Sequence, residues 1–163
     1  MFDHEMREAA ERVLNACRRH DLKVATAESC TGGLIVATLT TIAGSSDVID
    51  RAFGTYSNEA KRDMIGVRWD MIMKHGAVSE PVARAMASGA LRHSAADLAV
   101  SVTGVAGPGG GTAEKPVGLV HLGALRKGRE PITERHIFHG DRDGIRRVAA
   151  ITALALLASL AER

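Results

Sequence analysis

The stretch "LKVATAESCTGGLIVATLTTI", residues 22–42, decides the fold. Its first part, "LKVATAE", is short, apolar and β-branched, as a buried strand should be. From just after Cys30, "TGGLIVATLTTI" predicts a helix with small and apolar residues all round, hence a largely buried one. A strand that turns straight into a helix is the opening of a β-α unit. The turn, "ESCTGG", puts a carboxylate, two hydroxyls, a thiol and two glycines at that junction.

Outward from this unit the alternation continues. Phe2, Met6, Ala9, Ala10, Val13, Leu14 and Cys17 recur at helical spacing, which predicts an amphipathic helix over residues 2 to about 19. Asp3 and Glu5 in its first turn and Arg18 and Arg19 in its last suit the helix dipole. Downstream, "AFGTYS" (52–57) predicts a strand and "NEAKRDMIGV" (58–67) a short helix closed by Gly66. Ser79 and Pro81 open a helix over residues 79 to 93. "DLAVSVTG" (97–104) has the apolar, β-branched character of a central strand. Residues 117–140 predict a hairpin turning near Lys127 to Pro131, and a long helix runs from Asp141 to the end. This order predicts a three-layer α/β/α sandwich, its mainly parallel sheet made mixed by the late hairpin.

At 163 residues, 45% of them hydrophobic and 25% charged, the chain suits a single globular domain spanning 1–163. A net charge of +2 is too small to point to nucleic acid or a membrane surface. The start, "MFDHEMREAAERV", is acidic and amphipathic, unlike a signal peptide. The most apolar run, Val148 to Ala161, is shorter than the roughly 18 residues of a membrane span. Cys17 and Cys30 suggest free thiols and a reducing cytoplasm. The seven histidines show no metal-ligand spacing, so neither metal nor cofactor is expected.

In open α/β sheets ligands bind beyond the carboxyl ends of parallel strands. Three polar segments fall there: "ESCTGG", "TYSNEAK" and "TGVAGPGGGTAEKPVG". In the first, Ser29 is either a nucleophile, with the N–H groups of Cys30, Thr31, Gly32 and Gly33 open to an oxyanion, or one of Ser29 and Thr31 merely caps the helix. In the second, a desolvated Lys61 could take the serine proton and Tyr56 could relay it or stack on a flat substrate; alternatively Lys61 is a solvated surface lysine. Tyr56 and Lys61 stand five apart, which excludes the Tyr-x-x-x-Lys pair of short-chain dehydrogenases. The third carries six glycines but no Walker A lysine. Such a loop either cradles a phosphate, with Thr103 and Thr112 as hydroxyl donors, or is a plain surface loop. In "GDRDGIRR", Arg142 and Arg146 stand four apart at a helix start, where cations are disfavoured unless an anion binds.

Laid out together, these residues resemble the C-terminal domain of the competence/damage-inducible protein CinA, a family that includes stand-alone nicotinamide mononucleotide (NMN) deamidases. The resemblance rests on "TAESCTGGL", "IAGSSDV", "RAFGTYSNEAKRDMIGV", "HGAVSEPVARAMA", "VSVTGVAGPGGGTAEKPVGLV" and "GDRDGIRR", which follow in order from about residue 23 to 150. It implies a five-stranded mixed sheet and hydrolysis of the NMN carboxamide, with Ser29 as nucleophile, Lys61 as base and Tyr56 nearby. Ser46, Thr103, Arg142 and the loop glycines Gly104, Gly107, Gly109 and Gly110 become candidates for ribose and phosphate contacts. Two other readings stand beside it: Cys30 as nucleophile with Glu28 and Lys61 as partners, and a non-catalytic nucleotide-binding module. Finally, the last helix carries apolar residues on more than one stripe, which predicts an exposed face and a homodimer or higher homo-oligomer, unless the first helix covers it.

Overall fold

The computed structural model describes residues 2–163. Five strands run β1 Val24–Glu28, β2 Ile49–Gly54, β3 Leu98–Gly104, β4 Leu119–Arg126 and β5 Ile132–Ile137. The helices are α1 His4–Arg19, α2 Leu34–Leu39, α3 Asn58–Ile65, α4 Trp69–His75, α5 Glu80–Arg92 and α6 Arg142–Ala161, with a 3-10 turn at Ser45–Asp47. The sheet order is β2-β1-β3-β4-β5. β1 pairs parallel with β2 and β3, and β4 pairs antiparallel with β3 and β5. Four strands therefore point one way and β4 alone opposes them, which is the mixed, mainly parallel sheet expected. Residues 98–104 do form its central strand.

Helices cover both faces of the sheet. Val24, Leu98, Val100 and Val102 meet α1, α2 and α6, while Ala25, Ala27 and Ala99 meet α3, α4 and α5. The period-two alternation of β1 and β3 sends alternate residues into separate cores. Close approach fixes the second layer: Ser101 donates its hydroxyl to the Ala83 carbonyl of α5 at 2.6 Å. Gly89 lets α5 lie against the end of α3, where an added Cβ would come within 2.1 Å of the Ile65 carbonyl oxygen.

Three expectations need correction. α4 lies in a stretch where no helix was expected. Arg68 at its start provides no side-chain cap, so the usual opening signal is missing. α2 starts at Leu34, after a turn in which Gly32 and Gly33 hold φ of +60° and +100°, left-handed values that keep the chain non-helical until residue 34. The second apolar face of α6 is not exposed. α1 lies along it, burying Met6, Ala9, Ala10, Val13, Leu14 and Cys17 beside Ala149, Ala153, Leu156, Leu157 and Leu160. Arg147 of α6 clamps the start of α1 through Asp3 and Glu5, at 2.6 Å each. Among the described residues, the large exposed apolar side chains are Tyr56, Met64, Trp69, Met73 and Ile137, none of them on α6. The apolar-patch reason for a dimer therefore falls away. By length and composition α6 could cross a membrane, but it is half buried between α1 and the sheet.

Candidate active site

Ser29 follows the last residue of β1, and its N–H is held by the Val102 carbonyl of β3 at 3.0 Å. Thr55 follows β2 and is tied by its N–H to the Glu28 carbonyl at 2.9 Å. The carboxyl ends of three parallel strands thus converge as expected. Ser57 caps α3 by accepting the Ala60 N–H, and one turn into that helix Lys61 points back under the β1 turn. Its side chain is not solvated: the residue is 1% exposed, and Ser29 is 9% exposed.

Lys61 Nζ lies 3.0 Å from Ser29 Oγ, 2.9 Å from the Thr55 carbonyl and 3.2 Å from the Tyr56 carbonyl. Burial lowers its pKa from the ordinary 10.5 to about 8. A neutral amine has two hydrogens and one lone pair. The Thr55 and Tyr56 carbonyls, nearer than that of Ser57 at 3.5 Å, can take the two hydrogens, so the lone pair can face the Ser29 hydroxyl, whose other acceptor is the Tyr56 carbonyl at 3.4 Å. Cys30, next in sequence, faces the other way into the core formed with α2 and α6. Burial pushes its thiol up to about 11, away from the reactive thiolate.

Glu28 is engaged at the start of α2. Its buried carboxylate takes the place of a helix cap: Oε2 accepts from the Thr31 hydroxyl at 2.7 Å and the Gly33 and Ile35 N–H groups at 3.1 and 3.0 Å, and Oε1 accepts from the Val36 N–H at 3.0 Å. The α2 start is thereby saturated by the protein's own anion. The Gly32 N–H is also taken, by the Ser29 carbonyl at 3.0 Å. Among the described residues, only the Cys30 and Thr31 N–H groups of the turn remain without a partner, half of the four expected. Glu28→Gln tests the cap. Either orientation of the amide sets its NH2 against a backbone N–H, so a loss of about 3 kcal/mol is expected. Thermal unfolding should show a Tm lower by roughly 6–12 °C; an unchanged Tm would contradict the assignment.

Tyr56 does not stand between lysine and serine. The residue is 62% exposed and its hydroxyl accepts from Arg142 Nη2 at 3.1 Å, which argues against a relay. Arg142 Nη1 donates to the Gly107 carbonyl at 2.7 Å, so one guanidinium ties the glycine loop to the β2–α3 junction. Gly109 and Gly110 lie exposed on that loop. Gly104 has a packing role, since a Cβ there would meet the Leu119 carbonyl oxygen at 2.7 Å. The Thr103 hydroxyl is spent on the Ala77 carbonyl at 2.9 Å, and the Thr112 hydroxyl accepts the Lys115 N–H. Ser46 is not brought to this cleft by its own chain: its turn leads into the start of β2, at the sheet end opposite Ser29. Among the described residues no three His, Cys, Asp or Glu side chains form a metal-holding group.

The family model described as the CinA C-terminal domain matches residues 6–161. The chain belongs to the CinA C-terminal domain family. Its relatives include the nicotinamide-nucleotide amidohydrolase PncC of Escherichia coli K12, 51% identical over 157 residues, covering 96% of this chain and 95% of that one. A CinA-like protein of Syntrophobacter fumaroxidans is 52% identical over 151 residues, but there the match spans only 35% of the longer relative. The crystal structure of the competence/damage inducible protein CihA from Agrobacterium tumefaciens superposes with a TM-score of 0.96 at 48% identity, covering 98% of both chains. Within the CinA domain the sandwich is thus shared.

Proposed function

We propose that this protein is an amidohydrolase that converts NMN to nicotinate mononucleotide and ammonia, with Ser29 as nucleophile and Lys61 as its base. One observation carries the assignment: a buried lysine, its pKa drawn down to about 8, in direct hydrogen-bond contact with a serine at a strand end. The likeness to an amidohydrolase over nearly the whole chain supplies the substrate class.

Lys61 takes the Ser29 proton as Oγ attacks the carboxamide carbon. The resulting oxyanion is met by backbone N–H groups of the turn. Lys61 returns the proton to the amide nitrogen, the C–N bond breaks and ammonia leaves. A water then loses a proton to Lys61, adds to the acyl-serine and releases the carboxylate, and the proton passes back to Ser29. Tyr56 lies at the mouth, where its ring can cover the pyridine. Arg142 and the exposed glycines offer donors to the phosphate.

The test is incubation of the purified protein with NMN and quantification of both ammonia and nicotinate mononucleotide; absence of either product would refute the reading. Nicotinamide riboside serves as the paired substrate. A charge-assisted hydrogen bond is worth about 1.5–3 kcal/mol. Loss of the phosphate should therefore lower kcat/KM by at least about 10-fold. Equal kcat/KM for the two substrates would remove the phosphate role of Arg142 and the loop.

A further inference from the structure

α6 supplies a second arginine with a different task. Arg142 and Arg146 stand one turn apart, but Arg146 turns to the back of the nucleophile turn. Its Nε donates to the Cys30 carbonyl at 3.2 Å and its Nη2 to the Thr31 carbonyl at 3.0 Å. Its Nη1 makes only a loose ion pair with the exposed Asp143, at 3.7 Å.

In a trans peptide the C=O and N–H point in opposite directions. Holding a carbonyl therefore aims the N–H of the next residue. The Ser29 carbonyl is held by the Gly32 N–H, which aims the Cys30 N–H. The Cys30 carbonyl is held by Arg146, which aims the Thr31 N–H away from α6. These are the two N–H groups of the turn left without partners. The other donors are removed from competition, by Glu28 and by the Ser29 carbonyl.

Resting on Ser29 as the nucleophile, we infer that Arg146 is a positioning residue: by gripping the Cys30 and Thr31 carbonyls from α6, it fixes the peptide whose Gly32 N–H holds the Ser29 carbonyl, and so orients the Cys30 N–H as an oxyanion donor. It touches no reacting atom. Its effect belongs to the transition state, because an oxyanion hole discriminates the developing charge from the ground-state carbonyl. The planar fork matters, since two carbonyls on successive peptides are held at once and an ammonium can hold only one well.

The test is steady-state NMN kinetics on Arg146→Met and Arg146→Lys, with Ser29→Ala as reference and circular dichroism as the check on folding. Arg146→Met should lower kcat about 10- to 100-fold, since a donor out of place by about 1 Å forfeits much of its effect. KM should stay within about twofold and the alkaline-rising pH profile should keep its midpoint, because Lys61 is untouched. Arg146→Lys should recover part of the loss. If Arg146→Met does not fold, Arg146→Lys carries the test alone, with kcat expected about 5- to 10-fold down. A wild-type kcat in the folded variants overturns the inference, as does a loss confined to KM, which would make Arg146 a substrate contact. Full turnover by Ser29→Ala, or none by the wild type, overturns the nucleophile assignment and this inference with it. A dead Ser29→Ala beside fully active Arg146 variants overturns this inference alone.

Discussion

Ser29→Ala is expected to lower NMN turnover by at least about 1,000-fold, while Cys30→Ala keeps kcat within about threefold of wild type. The contrast follows from which way two adjacent side chains face. Ser29 Oγ points to Lys61 at 3.0 Å, whereas Cys30 packs with the α2 and α6 core. A thiol pushed up to about 11 is almost wholly protonated near neutrality and supplies no nucleophile. Cys30→Ala should instead cost a little stability, about 1–2 kcal/mol for the sulfur lost from a buried site. Initial rates of nicotinate mononucleotide release from folded variants decide the matter. A dead Cys30→Ala beside an active Ser29→Ala would transfer the chemistry to the thiol.

Lys61→Arg should be nearly as damaging as Lys61→Met, both about 100-fold or more below wild type. Arginine keeps the positive charge but cannot give up its proton, so it cannot serve as a base. It is also too large for a side chain that is 1% exposed. The wild-type pH profile follows from the same group. Lys61 is protonated below its pKa of about 8 and neutral above it. Only the neutral form can accept the serine proton, so kcat/KM should rise with pH through about 8 and level off. At pH 7 about a tenth of the chains would be in the competent form. The linkage to folding has the same direction. The unfolded state binds more protons between pH 8 and the ordinary lysine value, so the native state gains on the unfolded as pH rises across that window. An active Lys61→Arg variant, or a rate that falls through pH 8, would leave Lys61 with an electrostatic role only.

The sandwich was legible because each layer has its own periodicity. The apolar, β-branched run at 98–104 has the character of a central strand, and the helical recurrence in residues 2–19 that of a one-sided helix. Ser29 and Lys61 were legible as a pair because strand ends gather at one edge, which made their meeting a consequence of topology. Lys61's burial was not, since its helix has an ordinary surface composition and the cover comes from the chain folding over it. Ser46, a candidate through the family resemblance alone, precedes its strand instead of following it, so strand-end topology does not bring it to Ser29. From the sequence, Glu28 reads only as a partner of a reactive thiol. Five residues on, it meets the N–H groups of a helix it does not belong to, and spacing alone cannot show that. Arg146 was visible as one of two arginines on a helix start. Which of them faces a ligand and which the peptide behind the serine depends on how α6 crosses the turn.

Both side chains of the proposed dyad lie within the first 61 residues, yet the surroundings that hold them arrive much later in the chain. The carbonyl that holds the Ser29 N–H belongs to Val102, α5 closes over the end of α3 around residue 89, and the grip on the turn comes from residue 146. During synthesis, a nascent chain that has emerged past Lys61 carries a solvated, protonated lysine beside an ordinary serine alcohol. If the proposed dyad carries the chemistry, reactivity is withheld until the last helix is made and docked.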